Sequence, residues 1–89
     1  MPTLSVIIHT YNNEKFIAET VESVLNQTYK DYEIIVVDDG SEDGTRDALI
    51  PYMQKIRYHY KENGGIASAK NAGICLSQTE FVAFLDHDD

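Results

Sequence analysis

The stretch that decides the fold is the last nine residues, Phe81-Val82-Ala83-Phe84-Leu85-Asp86-His87-Asp88-Asp89. Five apolar residues in succession, with no polar alternation, predict a short strand buried on both faces. The strand empties at once into three carboxylates, Asp86, Asp88 and Asp89. Such a cluster repels itself unless a cation sits among it. An all-oxygen aspartate set suits a hard ion, Mg2+ or Mn2+. The plainer alternative is that these acids solvate and cap a following helix.

Working outward, the rest of the chain reads as a scaffold for that edge. Leu4 to His9 is a β-branched, apolar first strand, closed by Tyr11-Asn12-Asn13, either asparagine of which can cap the next helix. From Glu14 to Asn26, Phe16, Ile17, Val21, Val24 and Leu25 recur at helical spacing. Glu33 to Val37 is a second strand, running into the turn-rich Asp38-Asp39-Gly40-Ser41-Glu42-Asp43-Gly44-Thr45. A second helix begins near Thr45, and Pro51 predicts a kink or two short pieces. Ile56 to Tyr60 alternates as a third strand near an edge, with Tyr58 and Tyr60 on one face. Lys61 to Gly65 is a loop, and Ile66 to Ser77 a small-residue helix able to pack closely on a sheet.

The order β-α-β-α-β-α-β predicts an α/β, three-layer sandwich around a parallel sheet, in one domain spanning residues 1–89. The final strand is too apolar for a solvated edge, so a cover for it is expected.

Eighty-nine residues suffice for one modest core. Fifteen acids against seven lysines and arginines give a net charge of −8, which excludes nucleic-acid binding through a basic face. The lone Cys75 excludes an internal disulfide and, beside Ile74 and Leu76, reads as a buried, inert thiol. No signal peptide or membrane-length apolar run is visible, so a cytoplasmic location is expected, with peripheral attachment at the inner membrane face as a variant.

In a parallel sheet, ligands bind beyond the carboxyl ends of the strands. Thr10, Tyr11 and Asn12 follow strand one, Asp38, Asp39 and Gly40 follow strand two, and Asp86, Asp88 and Asp89 follow strand four. Asp38 and Asp39 can accept hydrogen bonds from a base or ribose, or simply close a turn. Tyr11 can stack on a ring or pack locally. His9, His59 and His87 read as structural or solvent-facing, Lys61 and Lys70 as solvated charges with phosphate contact as the alternative. Asn63-Gly64-Gly65 is only a weak likeness of a phosphate-cradling loop.

Together these motifs resemble the amino-terminal half of a family 2 glycosyltransferase with the GT-A fold. The resemblance rests on Ser5-Val6-Ile7-Ile8-His9-Thr10-Tyr11-Asn12-Asn13-Glu14, Ser23 to Tyr29, Glu33 to Ser41, Asp43-Gly44-Thr45, Asn63-Gly64-Gly65 with Ala69 to Gly73, and Phe84 to Asp89. It implies transfer of a sugar from a nucleotide diphosphate donor, expected to be a UDP-sugar, to a saccharide or lipid-linked acceptor hydroxyl. It further implies inversion at the anomeric carbon, in polysaccharide or cell-envelope glycan synthesis. By resemblance Thr10 and Tyr11 line the nucleoside pocket and Asp39 pairs with the base. Asp86-His87-Asp88 matches the family's DxD motif, with Asp88 near ribose or metal and Asp89 a metal ligand. His9 stands where the family usually has proline, and Lys70 where arginine is common, so Lys70 cannot form a bidentate fork to phosphate.

No residue matches the family's catalytic base, and none is assigned. The chain is therefore expected to be the donor-binding part of an enzyme, inactive alone and self-associating through its last strand. Three alternatives fit less well. A nucleotidyltransferase would carry a glycine-rich basic loop after strand one; a signalling receiver would carry its acid pair there. A bare interaction module would not gather polar residues on one rim.

Overall fold

The apolar runs and the punctuation between them become four strands and three helices. The structure, a computed structural model, describes residues 4–26, 31–62, 64–77, 79 and 81–86. The elements are β1 (Leu4–Thr10), α1 (Ile17–Leu25), β2 (Tyr32–Asp38), α2 (Thr45–Leu49) with a 3-10 turn (Ile50–Tyr52), β3 (Arg57–Tyr60), α3 (Ile66–Leu76) and β4 (Phe81–Asp86). All strand pairs are parallel, in the order β3-β2-β1-β4.

Alternate residues of β1 and β2 face opposite ways, so each face has its own core. On one, Ile8, Ile34 and Val36 pack with Ile17, Val21 and Val24 of α1, Leu49 of α2 and Ile56. On the other, Ile7, Ile35 and Val37 pack with Ala72 and Leu76 of α3. The three-layer sandwich is thus observed. Gly73 is what lets α3 sit so close: a Cβ there would lie 2.5 Å from Ile7 Cγ2.

Pro51 does split the second helix into α2 and the 3-10 turn, as expected of a residue lacking an amide hydrogen. Helix α1 starts later than Glu14, and no side chain caps it. Instead the Asn13 carbonyl accepts the amides of Phe16 (3.1 Å) and Ile17 (3.0 Å).

Two expectations are overturned. Strand β4 is not buried on both faces: Phe81, Val82 and Phe84 are exposed, Phe81 by 58%. Among the described residues it is an edge strand, and α3 packs on β1 and β2. Cys75 is exposed rather than buried. The inward row of α3 is Ala72, Gly73 and Leu76, and helical spacing turns Ile74 and Cys75 away from it.

At the amino ends of the strands, the buried Ser5 hydroxyl ties the sheet together. It donates to Glu33 Oε2 (2.7 Å) and meets the hydroxyls of Ser77 and Thr79. No helix of the described residues is long and apolar enough to cross a membrane.

Candidate functional site

Parallel strands end on one rim, and register decides which residues share it. Thr10 of β1 lies opposite Asp38 of β2, and Asp38 opposite Tyr60 of β3. On the other side His9 lies opposite Asp86 of β4. The chain runs outward through β1, β2 and β3, then returns to β4 on the far side of β1. Strand order therefore reverses at β1, where open α/β sheets take ligands.

Asp38 and Asp39 are sequence neighbours in different surroundings. Asp38 is fully buried. Its Oδ1 accepts the Ser41 amide (2.8 Å), closing a turn that Gly40 completes at φ 85°. Its Oδ2 accepts the Tyr58 hydroxyl at 2.5 Å. Burial first, and that bond to a carboxylate second, push the Tyr58 hydroxyl well above its ordinary range.

Asp39 is 2% exposed and still ionised. Its Oδ1 accepts Lys61 Nζ (3.0 Å) and the Gly64 amide (2.9 Å), and its Oδ2 accepts the Gly65 amide (2.9 Å). His9 Nε2 stands 3.9 Å from Oδ2. Burial alone would raise this carboxyl. The hydrogen bonds from Gly64, Lys61 and Gly65, with the lysine's charge, outweigh it and hold Asp39 below the usual carboxylate range. The Gly64-Gly65 amides, which looked weakly like a phosphate cradle, thus grip the protein's own anion.

The loops after β1 and β2 are laced to each other. The Asn12 amide donates to Ser41 Oγ (2.8 Å), and Asn12 Oδ1 accepts the Glu42 amide (2.8 Å). The Asn13 amide donates to Thr45 Oγ1 (2.9 Å) and the Glu14 amide to Asp43 Oδ2 (3.3 Å). Asn12 takes a left-handed φ of 48°, which short polar side chains tolerate. Above this lacing Tyr11 is 40% exposed, and Tyr60 is exposed with its hydroxyl 3.3 Å from the Ser41 carbonyl.

Thr10 is fully buried, and its Oγ1 has no hydrogen-bond partner among the described residues; nor has Asn13 Nδ2. An unmet hydroxyl at a binding rim is what a ligand or an ordered water can satisfy.

Thr10, Tyr11, Asn12, Asp38, Asp39 and Gly40 are therefore brought to one rim, with the backbone of Asp86 beside them. Lys70 lies within α3. Asp88 and Asp89, like His87 and Asn63, lie outside the described residues. Among the described residues no group of three His, Cys, Asp or Glu gathers to hold a metal. From sequence, Lys61 reads as a solvated charge with phosphate contact as the alternative, and Tyr58 as one face of the third strand. Both touch the acids at the end of β2, Tyr58 from within β3 and Lys61 from just past it, and the pairing of β3 with β2 is the signal that points there.

Comparison with known proteins agrees with this architecture. The family described as Glycosyl transferase family 2 matches residues 5–89. An uncharacterized glycosyltransferase of Rickettsia typhi is 49% identical over 88 residues, covering 99% of this chain and 28% of that protein. The crystal structure of S. aureus TarS 1-349 in complex with UDP-GlcNAc superposes with a TM-score of 0.85 at 35% identity, covering 97% of this chain and 26% of that one. The mannosyltransferase PcManGT of Pyrobaculum calidifontis, in complex with GDP-Man and Mn2+, does so at 0.84 and 29% identity, covering 98% and 28%. The chain thus spans between a quarter and a third of these relatives. With a match running from Ser5 to Asp89 and the same sheet carrying its acids to one rim, this chain belongs to glycosyl transferase family 2.

Proposed function

We propose that this chain is the donor-binding part of a glycosyltransferase that moves a sugar from a nucleotide diphosphate, a UDP-sugar, to an acceptor hydroxyl with inversion. The observation that carries the reading is the register. With Thr10 opposite Asp38 and His9 opposite Asp86, the acids that end β2 and β4 flank the end of β1. The complexes of TarS with UDP-GlcNAc and of PcManGT with GDP-Man and Mn2+ support the substrate class.

In this reading Asp39 accepts from the base, and its ionised state suits an imide N–H donor. Its orientation is set by Lys61 and by the Gly64 and Gly65 amides, all of which it accepts from. Tyr11 offers an exposed ring for stacking, and Thr10 a hydroxyl unmet among the described residues. Asp86, Asp88 and Asp89 form an all-oxygen donor set suited to Mn2+ or Mg2+. When bound, such an ion neutralises diphosphate against this acidic surface and stabilises it as a leaving group. The acceptor would be a saccharide or lipid-linked glycan at the cytoplasmic side of the membrane.

Calorimetry with UDP, and with GDP as comparator, tests this with and without Mn2+. The expected result is metal-dependent binding that prefers UDP and is lost in the Asp88→Ala, Asp89→Ala double variant. Equal binding without metal, or unchanged binding by the double variant, would defeat the assignment.

A further inference from the structure

Lys61, which reads from sequence as a solvated charge with phosphate contact as the alternative, is held inside the protein. Its side chain is 18% exposed, its Nζ lies 3.0 Å from Asp39 Oδ1, and the same Nζ donates to the Glu62 carbonyl at 2.7 Å. Its amide donates to the Asp38 carbonyl at 2.9 Å, so the main chain already fixes Lys61 beside the end of β2. Asp39 in turn receives the amides of Gly64 and Gly65. Gly65 is the residue from which α3 starts, at φ 90°. One carboxylate thus joins β2, the end of β3 and the start of α3, and one ammonium holds that carboxylate.

We propose that Lys61 is a positioning residue. It fixes Asp39, and through it the Gly64-Gly65 turn, in the arrangement in which Asp39 meets a nucleobase. The structural part stands on the contacts above; the consequence for the nucleobase rests on the donor-binding reading. A lysine serving only as a solvated charge would leave both the turn and Asp39 unaffected when removed.

The groups facing Asp39 include His9 from β1, Lys61 after β3 and the amides that open α3. Removing Lys61 takes away a cation and one charge-assisted hydrogen bond, while the two amides remain. The change expected from such a bond is about tenfold in an equilibrium.

The test compares the unaltered chain with Lys61→Met and Lys61→Arg, and with Lys61→Gln should the methionine variant not fold. Amide hydrogen exchange at Gly64 and Gly65, the NMR titration midpoint of the Asp39 carboxyl, and UDP affinity with Mn2+ are read together. In Lys61→Met the two glycine amides should exchange about tenfold faster, the Asp39 midpoint should move up, and UDP should bind about tenfold more weakly, with partial recovery in Lys61→Arg. Unchanged exchange and an unchanged midpoint would overturn the proposal. Faster exchange with undiminished UDP affinity would overturn its link to binding. Faster exchange in a chain that binds no UDP even when unaltered would uphold the anchoring and remove the donor-binding reading instead.

Discussion

Strands β2 and β4 flank β1 on either side and are built from the same kind of residue, yet they live in opposite surroundings. Ile34 to Val37 of β2 are buried, sealed by α1 and α2 on one face and α3 on the other. Phe81, Val82 and Phe84 of β4 pair with β1 through the backbone but keep much of their side-chain surface exposed. An apolar run states that a strand is able to be buried. Which strand is buried depends on where the crossing helices land.

The same substitution made on both sides breaks or sharpens that contrast. Val37 is fully buried and Val82 is 36% exposed. Val37→Ala should lower unfolding free energy by about 2–3 kcal/mol, through lost burial plus a residual cavity. Val82→Ala should cost under about 1 kcal/mol. Urea midpoints at unchanged m-value read both; equal losses would mean that β4 is as well packed as β2.

A smaller effect is expected from overfilling the same side. Gly73→Ala places a methyl group against Ile7 Cγ2 and Cδ1, so α3 must shift or Ile7 must leave its rotamer. The cost should be about 1–3 kcal/mol by thermal melting. A neutral or stabilising change would show that α3 rides higher on β1 than described.

The smallest expected effect is acidic. Asp39 ionises in the folded chain at a lower pH than in the unfolded one, because the bonds from Gly64, Lys61 and Gly65 outweigh its burial. The unfolded chain therefore binds this proton first as pH falls. The stabilisation is complete at neutral pH and disappears as pH drops from about 4 through the folded value. Urea midpoints between pH 7 and pH 2 should fall, and the fall should flatten in Asp39→Asn. An equal slope in that variant would place the acid sensitivity elsewhere.

Much of this was legible beforehand. Hydrophobic periodicity located every element, since β-branched runs and 3.6-residue spacing are local signals, and Pro51 announced the break after α2. Strand polarity then dictated that Thr10, Asp38, Asp39 and Asp86 share a rim. What escaped was which way a residue faces once packed. Cys75 looked buried from its neighbours, but the inward row of α3 is set by where Gly73 meets Ile7. Lys61 looked solvated because its partner lies 22 residues away in the chain, and only parallel pairing of β2 and β3 brings the two together. The start of α1 was read too early, because a carbonyl cap from Asn13 leaves no side-chain signature.

The most direct measurement of the central claim is paramagnetic broadening of amide resonances by Mn2+ in the presence of UDP. Manganese held at the acidic rim should broaden Tyr11, Gly40, Gly64 and Gly65 while sparing Ser5, Glu33 and Arg57 at or toward the opposite end of the strands. Broadening at the Ser5 end, or the same faint broadening everywhere with and without UDP, would contradict a nucleotide and metal site at the carboxyl ends of this sheet.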